Sequence, residues 1–184
     1  MYSVFLYFSP NEIINKMNFS RIKQAGFQIL KARKEIVNNR QDWEYVAKPS
    51  LETMVDMLNN ELPFKVDYSI SKTGRNIETV IYSLGSESSD ITIDNENGSR
   101  LLIKDLGYLA FGLIHNGEVR VIVSKPKIDG LVENKEQYVE IGYLKPIELT
   151  NERIFEFFLQ FLLMVEKWEK SPPDEPIGFK LPGG

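Results

Sequence analysis

The 184-residue chain contains no cysteine and a single histidine. Without thiols there is no disulfide framework, no thiolate nucleophile and no zinc site built on cysteine. One imidazole also excludes a zinc site built on several histidines. Any Ser-His-Asp arrangement would have to use His115, which directly precedes Asn116-Gly117, a strong two-residue hairpin signal. No glycine-rich phosphate-binding motif occurs; Gly74, Gly85 and Gly98 are isolated turn residues. Long hydrophobic runs are missing too. Residues 4–8 are apolar but too short for a signal-peptide core, with no basic residue ahead of them. Residues 154–165 are interrupted by Glu156 and Gln160 and fall short of the ~20 residues that cross a bilayer. These absences lead us to expect a cytoplasmic protein with no membrane association, no cofactor and no metal. They move the expectation from enzyme toward binding protein.

What is present is ordinary for a globular domain: 42% hydrophobic and 26% charged residues, with a net charge of −4. We expect one α+β domain over residues 1–170 and a Pro/Gly-rich tail over residues 171–184. The tail holds Pro172, Pro173, Pro176 and Pro182, so it cannot be helical. Its Ile177, Phe179 and Leu181 alternate, as in an extended segment draped along a domain.

The expected order begins β-α-β. Tyr2–Phe8 reads as a strand. Ser9, Pro10 and Glu12 open a helix that ends by Gly26, and Phe27–Lys34 reads as a strand, with a continued helix as the alternative. Asp42–Ala47 reads as a short strand. Leu51, Met54, Val55, Leu58 and Leu62 recur at helical spacing behind Pro49, and Pro63 stops that middle helix. Residues 64–145 read as an antiparallel meander with a polar loop over residues 85–89. Two Asn-Gly turns, at Asn97-Gly98 and Asn116-Gly117, give two hairpins, and Tyr138–Leu144 gives a last strand. A two-residue loop at Asn116-Gly117 would pair Ile114 with Val119 and His115 with Glu118. Tyr108–His115 is apolar on both faces, which places it centrally in the sheet. Thr150 caps a C-terminal helix reaching Lys170. With so little polar face it should be buried nearly all round, as the spine of the core or with one side against a partner, a second copy included.

Candidate sites are few. His115 beside Glu118 can be a base oriented by a carboxylate or a solvated pair at a turn; the second fits the position better. Asp90, Asp94 and Glu96 form an acidic run whose glycine is misplaced for a calcium loop, so we read it as an acidic hairpin tip. Asp129, Glu133 and Lys135 superficially match a nuclease-type metal set, but their spacing is too short and they sit in a loop. Residues 20–40 carry Arg21, Lys23, Lys31, Arg33, Lys34 and Arg40 against Glu35, while the rest of the chain is strongly acidic. Such segregation suits a protein that steers another protein to itself. The expectation is a non-catalytic module that binds and neutralises or regulates a partner protein, a toxin-immunity protein or antitoxin-like inhibitor being one concrete form. Its contact residues would be Lys31, Arg33 and Lys34 on one side and Asp90, Asp94 and Glu96 on the other. Second comes a nucleic-acid-binding protein using residues 20–40. Third comes an enzyme built on carboxylates, with or without a metal.

Overall fold

A computed structural model describes residues 19–73, 77–95, 98–129 and 138–170. The expected first strand and the helix start after Ser9 lie outside them. Gly26 does not end a helix: α1 runs through it, over Phe19–Asp42. A glycine costs only about 1 kcal/mol in a helix interior. The residues beyond it, Gln28, Leu30, Lys31, Ala32 and Arg33, are good helix formers. Ile22, Ala25, Ile29, Ala32 and Ile36 recur at alternating spacings of three and four. Phe27–Lys34 is therefore helical, not a strand.

Asp42–Ala47 also departs from the expected strand. Trp43–Ala47 is a π-helical turn, and α2 (Lys48–Glu61) follows it without a break in helical dihedrals. Asn39, Trp43, Ala47 and Leu51 are all buried. Each four-residue step turns an α-helix by about 40° beyond a full circle. The wider π turn removes that drift and keeps Trp43, Ala47 and Leu51 over the same surface. This packing overrides the strand preference of Trp43, Tyr45 and Val46. In α2, Leu51, Met54, Val55 and Leu58 are the buried face, as their spacing predicts.

Among the described residues the strands pair antiparallel and form two sheets. The larger has the order β1 (Asp67–Lys72), β2 (Glu78–Ser83), β5 (Tyr108–Leu113), β6 (Val119–Ser124) and β8 (Tyr138–Leu144), so β5 is central as expected. The smaller joins β3 (Ser86–Asn95), β4 (Gly98–Asp105) and β7 (Lys127–Ile128). The polar stretch expected as a loop supplies the start of β3, where Ser86, Glu87 and Ser88 pair with Asp105, Lys104 and Ile103.

The β5–β6 register is one residue from the expected one: Leu113 pairs with Val119 and Phe111 with Val121. The loop has three residues, not two. The Ile114 N–H donates to the Glu118 carbonyl and the Gly117 N–H to the Ile114 carbonyl, each at 2.9 Å. Gly117 lies at φ +80°. This is a turn closed by a left-handed glycine, the usual three-residue hairpin. A one-residue slip changes which side chains share a face. In this register Leu109, Phe111 and Leu113 lie on one face with Val119, Val121 and Val123, and all are buried.

A Cβ on Gly117 would also lie 2.9 Å from Asn39 Cβ and 3.0 Å from the Ile36 carbonyl oxygen, because α1 presses on the turn. Gly85 has a similar φ of +78° but open space around it. Gly117→Ala should therefore lower stability by about 2–3 kcal/mol and Gly85→Ala by about 1 kcal/mol. Equal shifts in the urea midpoint of the two variants would show that the helix contact is unimportant.

The last helix, α3 (Asn151–Lys170), starts at Thr150, whose hydroxyl accepts the Arg153 N–H at 3.4 Å. Ile154, Phe157, Phe158 and Phe161 face the sheet. Phe157 meets Phe111 edge-on at 6.2 Å between ring centres, and Phe158 meets Tyr82 at the same distance. The Tyr82 hydroxyl donates to the Leu51 carbonyl at 2.5 Å, tying sheet to α2. Contrary to expectation α3 is not buried all round. Phe155, Leu159 and Leu163 are exposed, and the core is anchored by Ile154, Phe157, Phe158 and Phe161, with Leu162, Met164 and Val165 half-buried against it.

Candidate functional site

Among the described residues, packing buries the C-terminal end of α1. Residues 19–35 are exposed along their whole length, and burial begins with Ile36 and Asn39. At 1.5 Å per residue the exposed part is about 25 Å of helix. Its root is held by contacts from other elements: Lys145 Nζ to Glu35 at 2.5 Å and the Arg40 guanidinium to the His115 carbonyl at 3.2 Å. The Lys145 ammonium beside it lowers the Glu35 pKa.

Lys31, Arg33 and Lys34 all lie on this exposed helix. At 100° per residue Lys31 and Lys34 share one side, and Arg33 points away from both. Lys23 falls on the same side, about 20° from Lys34, and Arg21 lies about 80° beyond Lys31. Arg33 therefore stands apart from the other four cations of this stretch. Apolar side chains share the same surface: Ile22, Phe27 and Leu30 are 63%, 70% and 60% exposed, and Phe19 and Ile29 are exposed beside them. The sequence pattern showed the cations but not this apolar component, because a strand over Phe27–Lys34 would have buried Phe27, Ile29 and Leu30 and the expected preceding helix used Ile22 in its apolar stripe.

The acidic candidates are placed differently. Asp90 sits at the irregularity of β3 between Ser88 and Thr92, with φ +57°, a left-handed conformation that aspartate tolerates better than most residues. Its N–H donates to the Ser88 hydroxyl at 3.2 Å. Asp94 lies farther along the ladder, opposite Ser99, whose hydroxyl it accepts. Glu96 is outside the described residues. Asp129 pairs with Lys127 at 3.9 Å, and Glu133 and Lys135 are also outside. Among the described residues no three His, Cys, Asp or Glu side chains converge to hold a metal ion.

His115 does not face Glu118; it is a loop residue, and Ile114 takes that position. The Glu118 carboxylate instead accepts Asn116 Nδ2 at 2.6 Å, and the same amide donates to the Tyr143 hydroxyl at 2.7 Å. A hydrogen bond to Glu118 also raises the Tyr143 pKa. The group orients a turn and presents no base to a cavity.

One polar cluster had no local sequence signal. Glu78, at the start of β2, is buried and accepts Trp43 Nε1 at 3.0 Å and Lys48 Nζ at 2.8 Å, with Lys72 at 3.3 Å. Lys48 also pairs with Glu44 at 2.6 Å. Burial works against the Glu78 charge, but the hydrogen bonds from Lys48, Trp43 and Lys72 outweigh it and lower the pKa. With its oxygens engaged this way, the carboxylate fastens the π turn to the sheet. Trp43 and Lys48 lie 35 and 30 residues from Glu78, which is why no motif betrays them.

No protein-family model, curated protein or solved structure matches this chain. Among the described residues no helix is long and apolar enough to cross a membrane.

Proposed function

We propose that this protein is a non-catalytic interaction module that grips a partner protein with the exposed part of α1 and thereby neutralises or regulates it. A toxin-immunity or antitoxin-like inhibitor is one form such a module takes. The observation that supports this reading is the composition of residues 19–35: large apolar side chains and a surplus of cations on one exposed helix. Contiguous apolar surface of this kind marks an interaction site. Its counterpart is an acidic groove with an apolar floor, the mode in which amphipathic helices are bound. Arg33 lies nearly across the helix from Lys31, which fits a groove that embraces the helix better than a phosphate track on one side.

The test uses a partner purified from the native host. Reversing Lys31, Arg33 and Lys34 to Glu should slow association about tenfold at low salt and flatten its salt dependence. Ile22→Ser with Leu30→Ser should speed dissociation by about tenfold or more. Reversing Asp90, Asp94 and Glu96 to Lys asks whether the acidic tip contributes. A partner that binds both α1 variants as it binds the native chain would sink the proposal. Retardation of random-sequence RNA or DNA at physiological ionic strength, abolished by the Lys31/Arg33/Lys34 reversal, would put nucleic-acid binding in its place.

A further inference from the structure

A second apolar surface lies at the other end of the molecule's chain order. Leu159, Leu162 and Leu163 of α3 face Phe64, Leu84 and Leu106 across a groove of about 580 Å³. That volume is in the range of sites that enclose a ligand. Glu87, Glu166 and Glu169 stand at its rim. They are already engaged: Lys104 pairs with Glu87 at 2.7 Å and with Glu169 at 2.9 Å, and Lys170 pairs with Glu166. The rim therefore has little unpaired charge to offer, and the apolar floor decides what binds.

We infer that this groove is the docking site for the chain's own segment 171–184, which folds back along α3 and inserts Ile177, Phe179 and Leu181. Three observations favour this occupant. First, the described part of α3 reaches Lys170, close to the groove walls contributed by residues 159–169. Pro172-Pro173 follows at once and cannot extend the helix, so the chain must leave the helix axis there. Second, the reach is sufficient. Leu163 is about 10 Å back along the helix from Lys170, and residues 171–176 can span about 19 Å in an extended proline-rich conformation. Third, Ile177, Phe179 and Leu181 alternate, so an extended backbone points all three the same way, toward an apolar floor. A tethered segment also has an effective concentration that a free partner must exceed.

The absence of native cysteine makes a direct test simple. Two double variants of the full chain are compared under mild oxidation: Leu159→Cys with Phe179→Cys, and Gln160→Cys with Phe179→Cys. Both α3 positions are exposed and have nearly the same chain separation from residue 179, but they point about 100° apart, and only Leu159 lines the groove. The expected result is an intramolecular disulfide that forms at least about tenfold faster in the first pair, with the protein still monomeric. Equal rates in the two pairs would show that the tail does not seek the groove and would overturn the inference. A disulfide-linked dimer from the first pair would also overturn it, assigning the groove to the tail of a second copy.

Discussion

Phe158→Ala is expected to destabilise the fold by about 3–5 kcal/mol. Phe158 is 2% exposed and sits where the core's aromatic rings meet. Its ring contacts Tyr82 on one side and Phe161 on the other, with centres 6.2 and 6.0 Å apart. Those contacts stack α3 over β2 while the Tyr82 hydroxyl reaches α2, so the cavity left by alanine opens between three elements. Such a site cannot collapse without moving a helix, which puts the cost at the upper end of the range for aromatic truncation. Leu162→Ala is the control. Leu162 is only half-buried and lines the groove, so it should cost about 1–2 kcal/mol. Equal urea midpoints for native and Phe158→Ala protein would mean that α3 does not anchor the core.

That anchor was half legible in the sequence. The α3 boundaries, the last strand Tyr138–Leu144 and the buried face of α2 follow from periodicity and from Thr150, Pro49 and the Asn-Gly turn, all of which act locally. The burial of only one side of α3 did not follow. Eleven apolar residues on one helix leave no polar face to orient it, and the sheet and the groove decide between them. The register of β5 and β6 failed for a similar reason. Asn-Gly permits both a two-residue and a three-residue loop, and the choice is made by the valines, which must join Phe111 under α2 and α3. In α1 and the π turn after it, the misleading signals were Gly26 and the strand-forming residues of Trp43–Ala47. Gly26 is tolerated inside the helix, and the π turn needs Trp43 and Ala47 at a spacing that neither α nor β periodicity predicts. Of the candidate contact residues, Lys31, Arg33 and Lys34 were readable as charge alone. Their apolar companions Phe27 and Leu30 were hidden by the strand assignment, and Ile22 by its place in the expected apolar stripe of the preceding helix.

The second large effect is expected at Glu78. Glu78→Ala should cost about 2–4 kcal/mol, because it strands the buried Trp43 N–H and removes one of the two carboxylates that hold Lys48. The value stays below that of a fully buried ion pair, since Lys48 keeps Glu44 and is partly open to water. Glu78→Gln should cost less, because an amide oxygen can still accept the indole N–H. The two readings of this residue, charge or hydrogen bond, are separable by pH. Burial penalises the Glu78 charge, but Lys48, Trp43 and Lys72 overcome it, and the folded pKa lies below the ordinary 4.5. A lowered folded pKa means stability that is fully present above about pH 4.5 and lost as the pH falls through the folded value. Lys48 behaves in the opposite sense. Burial disfavours its charge, its bonds to Glu44 and Glu78 prevail, and its pKa rises above 10.5, so its contribution persists through neutrality and is lost only in strong alkali. The gap in urea midpoint between native and Glu78→Gln protein should therefore be constant from pH 6 to 8 and shrink as the pH is lowered to about 3. A gap that stays unchanged at pH 3 would show that the Glu78 charge adds nothing beyond the hydrogen bond to Trp43.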